Sequence, residues 1–236
     1  MSTQHDLVDK GFNIVNDIYT PAEIQQIIDA IERADTSQPT FRKSADLFAV
    51  RQFLKGVPGV AGHIFTDRFK ALVSAVAGDD YFLVKSIYFD KPEASNWFVA
   101  WHQDLTISVD KRMEVSGYGP WTVKQNQYAV QPPQDILDNI LTIRIHLDDT
   151  NEDNGALRVL DGSHRNGIIR PEQVDKQAAT ETVCNVSASG VMLMKPLLMH
   201  SSGRTVNKNR RRVIHLELSN KELPKGLQWA ERLTIV

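Results

Sequence analysis

Trp101-His102-Gln103-Asp104 is the segment of this 236-residue chain whose residue types and spacing best support chemistry. Side chains two apart in a strand share a face. A strand over Phe98–Ile107 would therefore project His102 and Asp104 side by side. An imidazole nitrogen and a carboxylate oxygen held that way form two adjacent corners of a metal site. His200 is the best candidate for a third corner, because it follows the apolar run Val191–Met199 and precedes the turn-like Ser201-Ser202-Gly203. Two histidines and one carboxylate on one side of a metal leave positions open. Non-haem Fe(II) centres that take a chelating co-substrate and dioxygen have this arrangement. A lone HxD carries little weight, so the case depends on what lies downstream.

Downstream, Lys208–Arg212 reads Lys-Asn-Arg-Arg-Arg and leads into a strand over Val213–Leu218. A basic run is usually a solvated face. Strand alternation sorts this one: Arg212, Ile214, Leu216 and Leu218 share one face, and Arg211, Val213, His215 and Glu217 share the other. The strand candidate Ile140–Leu147 splits the same way, with Ile143, Ile145 and Leu147 opposite Thr142, Arg144 and His146. Two strands with one apolar and one ionisable face suggest a barrel that packs its apolar side under helices and lines a cavity with the other. A guanidinium in such a cavity is the natural partner of a dicarboxylate, because it can grip one carboxylate bidentately.

The elements that must position these groups can be read along the chain. Gly11–Val15 is a short strand candidate, and Thr20-Pro21-Ala22-Glu23 is a capping box with proline at the first helical position. Ile24, Ile27, Ile28 and Ile31 then make one apolar stripe, so a helix is expected over Pro21–Ala34. A second helix is expected over Gly62–Ala77, stopped by Gly78. Strands are expected at Tyr81–Phe89, Phe98–Ile107, Ile140–Leu147, Arg158–Leu160, Thr182–Val186, Val191–Met194 and Arg211–Leu218. Ser108–Gln134 has no clear periodicity and is expected to be a long loop over the site that carries selectivity. Helices first and strands later imply a β core with helices on one face, and no linker divides the chain.

Composition excludes several classes. Lys plus Arg is 27 and Asp plus Glu is 29, a net charge of -2, which gives no reason to expect nucleic acid or an anionic membrane. No apolar run approaches the roughly 20 residues of a membrane helix, and the polar Met1–Lys10 has no signal-peptide character, so a cytoplasmic protein is expected. One cysteine, Cys184, forbids an internal disulfide or a thiolate cluster, and it is expected to be inert. Dinucleotide, P-loop, nucleophile-elbow, HExxH and CxxC motifs are absent.

Taken together, Trp101-His102-Gln103-Asp104, Asn154-Gly155-Ala156-Leu157 leading to Gly162-Ser163-His164, and His200 with Arg211 eleven residues on resemble the phytanoyl-CoA dioxygenase (PhyH-like) family of Fe(II)/2-oxoglutarate oxygenases. Asp161 departs from the proline usual in that family's turn. The resemblance implies one domain over residues 1–236, mainly β with α. Its fold would be a double-stranded β-helix (a cupin-like jelly roll) with supporting N-terminal helices. It implies Fe(II) held by His102, Asp104 and His200, and 2-oxoglutarate held at its distal carboxylate by Arg211 with help from Ser202. Arg144 would line the co-substrate region, and Gln103 would touch it. The implied reaction consumes dioxygen, releases succinate and CO2, and hydroxylates an unactivated C–H of a small molecule. Asp104 favours hydroxylation over halogenation, whose enzymes lack that carboxylate.

His164 is expected to bond its own turn, and His146 and His215 to support the cavity rather than bind metal. Trp101, Trp121 and Tyr128 are candidate pocket walls. Two rival readings remain at this stage: a cupin-like metal-binding protein without oxygenase activity, which has no need of Arg211, and a hydrolytic zinc site, which has no need of dioxygen.

Overall fold

The computed structural model of the protein describes residues 3–35, 37, 41–43, 48–92, 98–124, 127–174 and 179–235. Among them the strands form three antiparallel sheets. The first has eight strands. Its path runs through β1 (Phe12–Val15), β12 (Val191–Met194), β9 (Ile140–His146), β14 (Arg211–Ser219), β4 (Phe82–Lys91), β3 (Phe48–Arg51) and β2 (Phe41–Lys43), and β15 (Leu233–Thr234) also pairs β4. The second has four strands: β11 (Glu181–Cys184), β10 (Leu157–Leu160), β13 (His200–Ser202) and β5 (Val99–His102). The third has three: β6 (Ile107–Val109), β8 (Gln127–Val130) and β7 (Trp121–Lys124). This is the sheet-rich jelly roll expected from the sequence, with helices on one side.

Alternation along β9 and β14 decides which residues meet which partners. Ile143 and Ile145 of β9 lie against Leu216 and Ile214 of β14 in register. With Leu141, Leu147 and Leu218 they form the outer face, and the helices cover it. Those helices are α1 (Thr3–Asp9), α2 (Pro21–Glu32), α3 (Phe53–Gly56), α4 (Val60–Ile64) and α5 (Asp67–Ala77), while α6 (Gln134–Asp138) packs elsewhere. Ile27, Phe53, Ile64, Phe69 and Val73 are fully buried there, and each such side chain contributes about 1.5–3 kcal/mol. The α2 capping box forms as read, with Thr20 Oγ1 accepting from the Glu23 amide and a Glu23 carboxylate oxygen accepting from the Thr20 amide.

Three expectations need correction. The helix expected over Gly62–Ala77 is two helices, α4 and α5, because Thr66 is extended and its hydroxyl accepts from the Phe69 amide, starting a new helix. The strand expected over Phe98–Ile107 ends at His102 and a new strand starts at Ile107, because the Asp104 amide donates to Pro196 O at 2.9 Å instead of continuing a strand ladder. Ser108–Gln134 is not a loop throughout. Its ends and middle build the third sheet, which buries Ile107, Val109 and Val130 in a second apolar cluster. Residues 125 and 126 of that segment lie outside the described residues.

Candidate active site

The two large sheets enclose a cavity of about 470 Å³, and the third sheet adds Ser108, Thr122, Gln127 and Ala129 to its wall. At its centre the second sheet pairs β13 with β5, placing His200 directly opposite His102. Their ring centroids are 4.2 Å apart. Each Nδ1 donates to the carbonyl two residues earlier, His102 to Ala100 O at 2.8 Å and His200 to Leu198 O at 2.9 Å. A carbonyl only accepts, so in the neutral ring each Nε2 is the nitrogen left to offer a lone pair to the cavity.

Asp104 reaches the same point from beyond the strand end. Its Oδ1 lies 3.7 Å from His102 Nε2 and its Oδ2 lies 3.8 Å from His200 Nε2. One ligand atom from each of the three falls within 4.8 Å of the others. Burial pushes the Asp104 carboxyl up, but His200, His215, His102 and Lys85 together outweigh it and hold it well below the usual carboxylate range. Burial brings His200 down to about 4 against the pull of Asp104, so the ring is neutral at neutral pH. Two imidazoles and one carboxylate, with open space beside them, match the donor set of an Fe(II) site that keeps positions free.

The inner face of the first sheet supplies the cations. Arg211 is 4% exposed, and its Nε and Nη1 have no hydrogen-bond partner among the described residues. Burial, then repulsion from Arg144, brings its guanidinium down to about 9. An orphaned buried guanidinium is costly unless a ligand completes it, and a carboxylate of 2-oxoglutarate fits that need. Ser202 is buried on the cavity wall and its hydroxyl donates to Gly155 O at 2.9 Å. Arg144 is also buried, donates from Nη1 to His215 Nδ1 at 3.2 Å and leaves Nε without a partner.

The remaining predicted residues divide. Gln103 lies beside the cavity, but its amide is committed to backbone: Nε2 donates to Gly167 O and Leu197 O, and Oε1 accepts from the Ile169 amide. It therefore ties the 167–169 segment to the end of β5 and has no amide atom to spare for a co-substrate. Trp121 and Tyr128 pack into the second apolar cluster, so alternate residues of their strands face the cavity instead. Trp101 is half-buried on the face of β5 away from His102. His164 does not bond its own turn as expected: it bonds Val8 O of α1, and the missing side chain of Gly11 makes room for its ring. His146 bonds Thr150, and Cys184 is buried, as expected.

Two groups escaped the sequence reading. Lys85 Nζ donates to Glu217 Oε1 at 2.8 Å and to Thr106 O, and Glu217 also accepts from His215 Nε2 at 3.1 Å. Arg144 can only donate to His215 Nδ1, so the His215 proton sits on Nε2. Lys91 lies beyond the strand expected over Tyr81–Phe89, yet it is 1% exposed. The available signal was parity: Lys85, Ile87, Phe89 and Lys91 fall on one face, opposite Glu217, His215, Val213 and Arg211.

The profile of phytanoyl-CoA dioxygenase (PhyH) matches residues 7–213. The chain belongs to the phytanoyl-CoA dioxygenase family. No curated protein matches this PhyH-family chain by sequence. Solved structures match it by fold. AviO1 from Streptomyces viridochromogenes Tue57 has a TM-score of 0.65 at 19% identity, covering 94% of this chain and 95% of its own. HygX from Streptomyces hygroscopicus, solved with nickel, 2-oxoglutarate and hygromycin B bound, has a TM-score of 0.64 at 18% identity, covering 92% and 86%. SnoK, a non-heme alpha ketoglutarate dependent carbocyclase from nogalamycin biosynthesis, has a TM-score of 0.66 at 13% identity, covering 92% and 82%. The PhyH family is Fe(II)- and 2-oxoglutarate-dependent, and the donor set and orphaned guanidinium of this chain fit both groups.

Proposed function

We propose that this PhyH-family protein is an Fe(II)- and 2-oxoglutarate-dependent dioxygenase that hydroxylates an unactivated C–H of a polar small molecule. The observation that carries the reading is the meeting of His102, Asp104 and His200 in one cavity with the buried, unpartnered Arg211. When bound, Fe(II) and 2-oxoglutarate supply the oxidative chemistry, consuming dioxygen and releasing succinate and CO2.

His102, Asp104 and His200 would hold the metal on one side. Arg211 and Ser202 would hold the far end of 2-oxoglutarate, with Arg144 on the neighbouring strand of the same sheet face lining the co-substrate region. The burial of Arg211 strengthens its attraction to a carboxylate. Thr122, Gln127 and Ser108 on the third sheet would orient the target C–H. A polar substrate suits these side chains, and the HygX structure with hygromycin B bound supports a polar occupant in a related fold. The presence of Asp104 supports hydroxylation over halogenation. We read residues 1–236 as one oxygenase domain of a cytoplasmic protein and, from the near-neutral charge, as one without a nucleic-acid partner. Among the described residues no helix is long and apolar enough to cross a membrane.

The test is succinate release from 2-oxoglutarate under air with Fe(II), screened across polar small molecules. Substrate-stimulated succinate together with a product 16 mass units heavier, the mass of one oxygen atom, is expected. Stimulated succinate with a product lighter by two hydrogens would replace hydroxylation by desaturation or ring closure. No stimulation by any metal-dependent route would favour the cupin-like reading, although that reading leaves Arg211 unexplained.

A further inference from the structure

Lys91 closes β4 and stands directly opposite Arg211, the first residue of β14. Residues paired in register on antiparallel strands point to the same face, with Cβ atoms about 5 Å apart. Two cations are thus buried side by side, Lys91 at 1% and Arg211 at 4% exposure. Like charges placed opposite each other are destabilising, and burying an ammonium without an anion is more so. Among the described residues neither has a carboxylate partner. The nearby Asp90 is taken by Arg210, and Asp148 is taken by Arg212.

The ammonium has one hydrogen-bond partner among the described residues, Gly203 O at 2.6 Å, for its three N–H donors. Burial, then the Arg211 charge, brings Lys91 down to about 8. Its surroundings are built to leave space. Gly155 has φ +85°, and a Cβ there would lie 2.8 Å from Lys91 Nζ and 3.4 Å from Ser202 Oγ. Lys91 Nζ and Ser202 Oγ thus both lie against Gly155, Arg211 stands across the strand pair from Lys91, and Ser202 and Arg211 line the cavity. The other cationic pair member on this face, Lys85, has Glu217 to neutralise it. Lys91 has nothing comparable until a ligand arrives.

We infer that Lys91 is a second cationic donor, beside Arg211, for the distal carboxylate of 2-oxoglutarate. The inference rests on the oxygenase reading and adds a residue to it. Arg211 supplies planar donors, and Lys91 supplies a point charge on a flexible stem that can swing from Gly203 O to the carboxylate. A structural alternative is that Lys91 only pins the Gly203 backbone.

The deciding experiment is anaerobic equilibrium binding to the full chain loaded with Ni(II). It compares 2-oxoglutarate with 2-oxobutyrate, which has the same keto-acid head but no distal carboxylate. Lys91→Met should weaken 2-oxoglutarate by about 10- to 100-fold, the worth of a hydrogen bond to a charged group, and leave 2-oxobutyrate unchanged. Lys91→Arg should recover part of the loss. Without ligand, Lys91→Met should melt no lower than the wild type, since it removes an unpaired buried charge. Equal weakening of both keto acids, or none of either, would overturn the inference in favour of a structural lysine. If Lys91→Met does not fold, unchanged discrimination between the two keto acids in Lys91→Gln would overturn it instead. A wild type that binds 2-oxobutyrate and 2-oxoglutarate alike would remove the distal-carboxylate role of Lys91 and Arg211 together. Failure of the wild type to bind either would remove the oxygenase reading itself.

Discussion

The two ends of the β4–β14 pair treat charge in opposite ways. At one end Lys85, Glu217, His215 and Arg144 form a chain of contacts between 2.8 and 3.2 Å, with a carboxylate at its centre. At the other end Arg211 and Lys91 share a register row with no carboxylate between them. Both ends are buried, and both lie on the same strands, β4 and β14. The difference teaches where the fold is self-sufficient and where it waits for a ligand. A charge that finds its partner within the chain is part of the architecture. A charge left buried and unpaired is a demand for an anion from outside.

Variants can break this comparison, beginning with the candidate metal site. His102→Ala or His200→Ala should reduce metal-dependent succinate formation by on the order of a thousandfold or more, since a bound metal supplies several kcal/mol. Retained turnover would remove the triad assignment. At the paired end, Glu217→Gln should lower stability by about 3–5 kcal/mol in denaturant melts, because it strands Lys85 without an anion. At the unpaired end, Arg211→Met should leave stability intact and weaken 2-oxoglutarate binding by about 2–5 kcal/mol. An equal stability loss at both ends would erase the distinction. Gly155→Ala should cost about 1–3 kcal/mol of stability, because it forces a left-handed backbone and crowds Lys91 and Gly203 O. On the outer face, Ile214→Val should cost about 0.5–1.5 kcal/mol and leave 2-oxoglutarate binding unchanged.

The legibility of this site in the sequence follows the same physics. Alternation is local, so the apolar and ionisable faces of β9 and β14 could be assigned from spacing alone, and with them Arg144, Arg211, His215 and Glu217. His102 and His200 were legible as types, but their meeting depends on the β5–β13 pairing, which no local pattern encodes. Asp104 was assigned correctly to the cluster for an incomplete reason: it arrives from a coil beyond the strand, held by Pro196 O. Lys91 was opaque because a lysine at a strand end ordinarily extends into water, and only its partner across the sheet shows that it cannot. The third sheet was missed for a related reason. Trp121–Lys124 and Gln127–Val130 are short and contain polar residues facing the cavity, so their periodicity reads as loop until their pairing with each other and with Ile107–Val109 is known.

The central claim is that one cavity accepts Fe(II) and 2-oxoglutarate together. Anaerobic titration of the Fe(II)-loaded chain with 2-oxoglutarate tests it most directly, read by visible absorption. Chelation of the metal by the keto acid should raise a weak charge-transfer band that saturates at one equivalent in the wild type and demands far more 2-oxoglutarate in Arg211→Met. A wild-type chain that binds Fe(II) yet develops no such band would contradict the account.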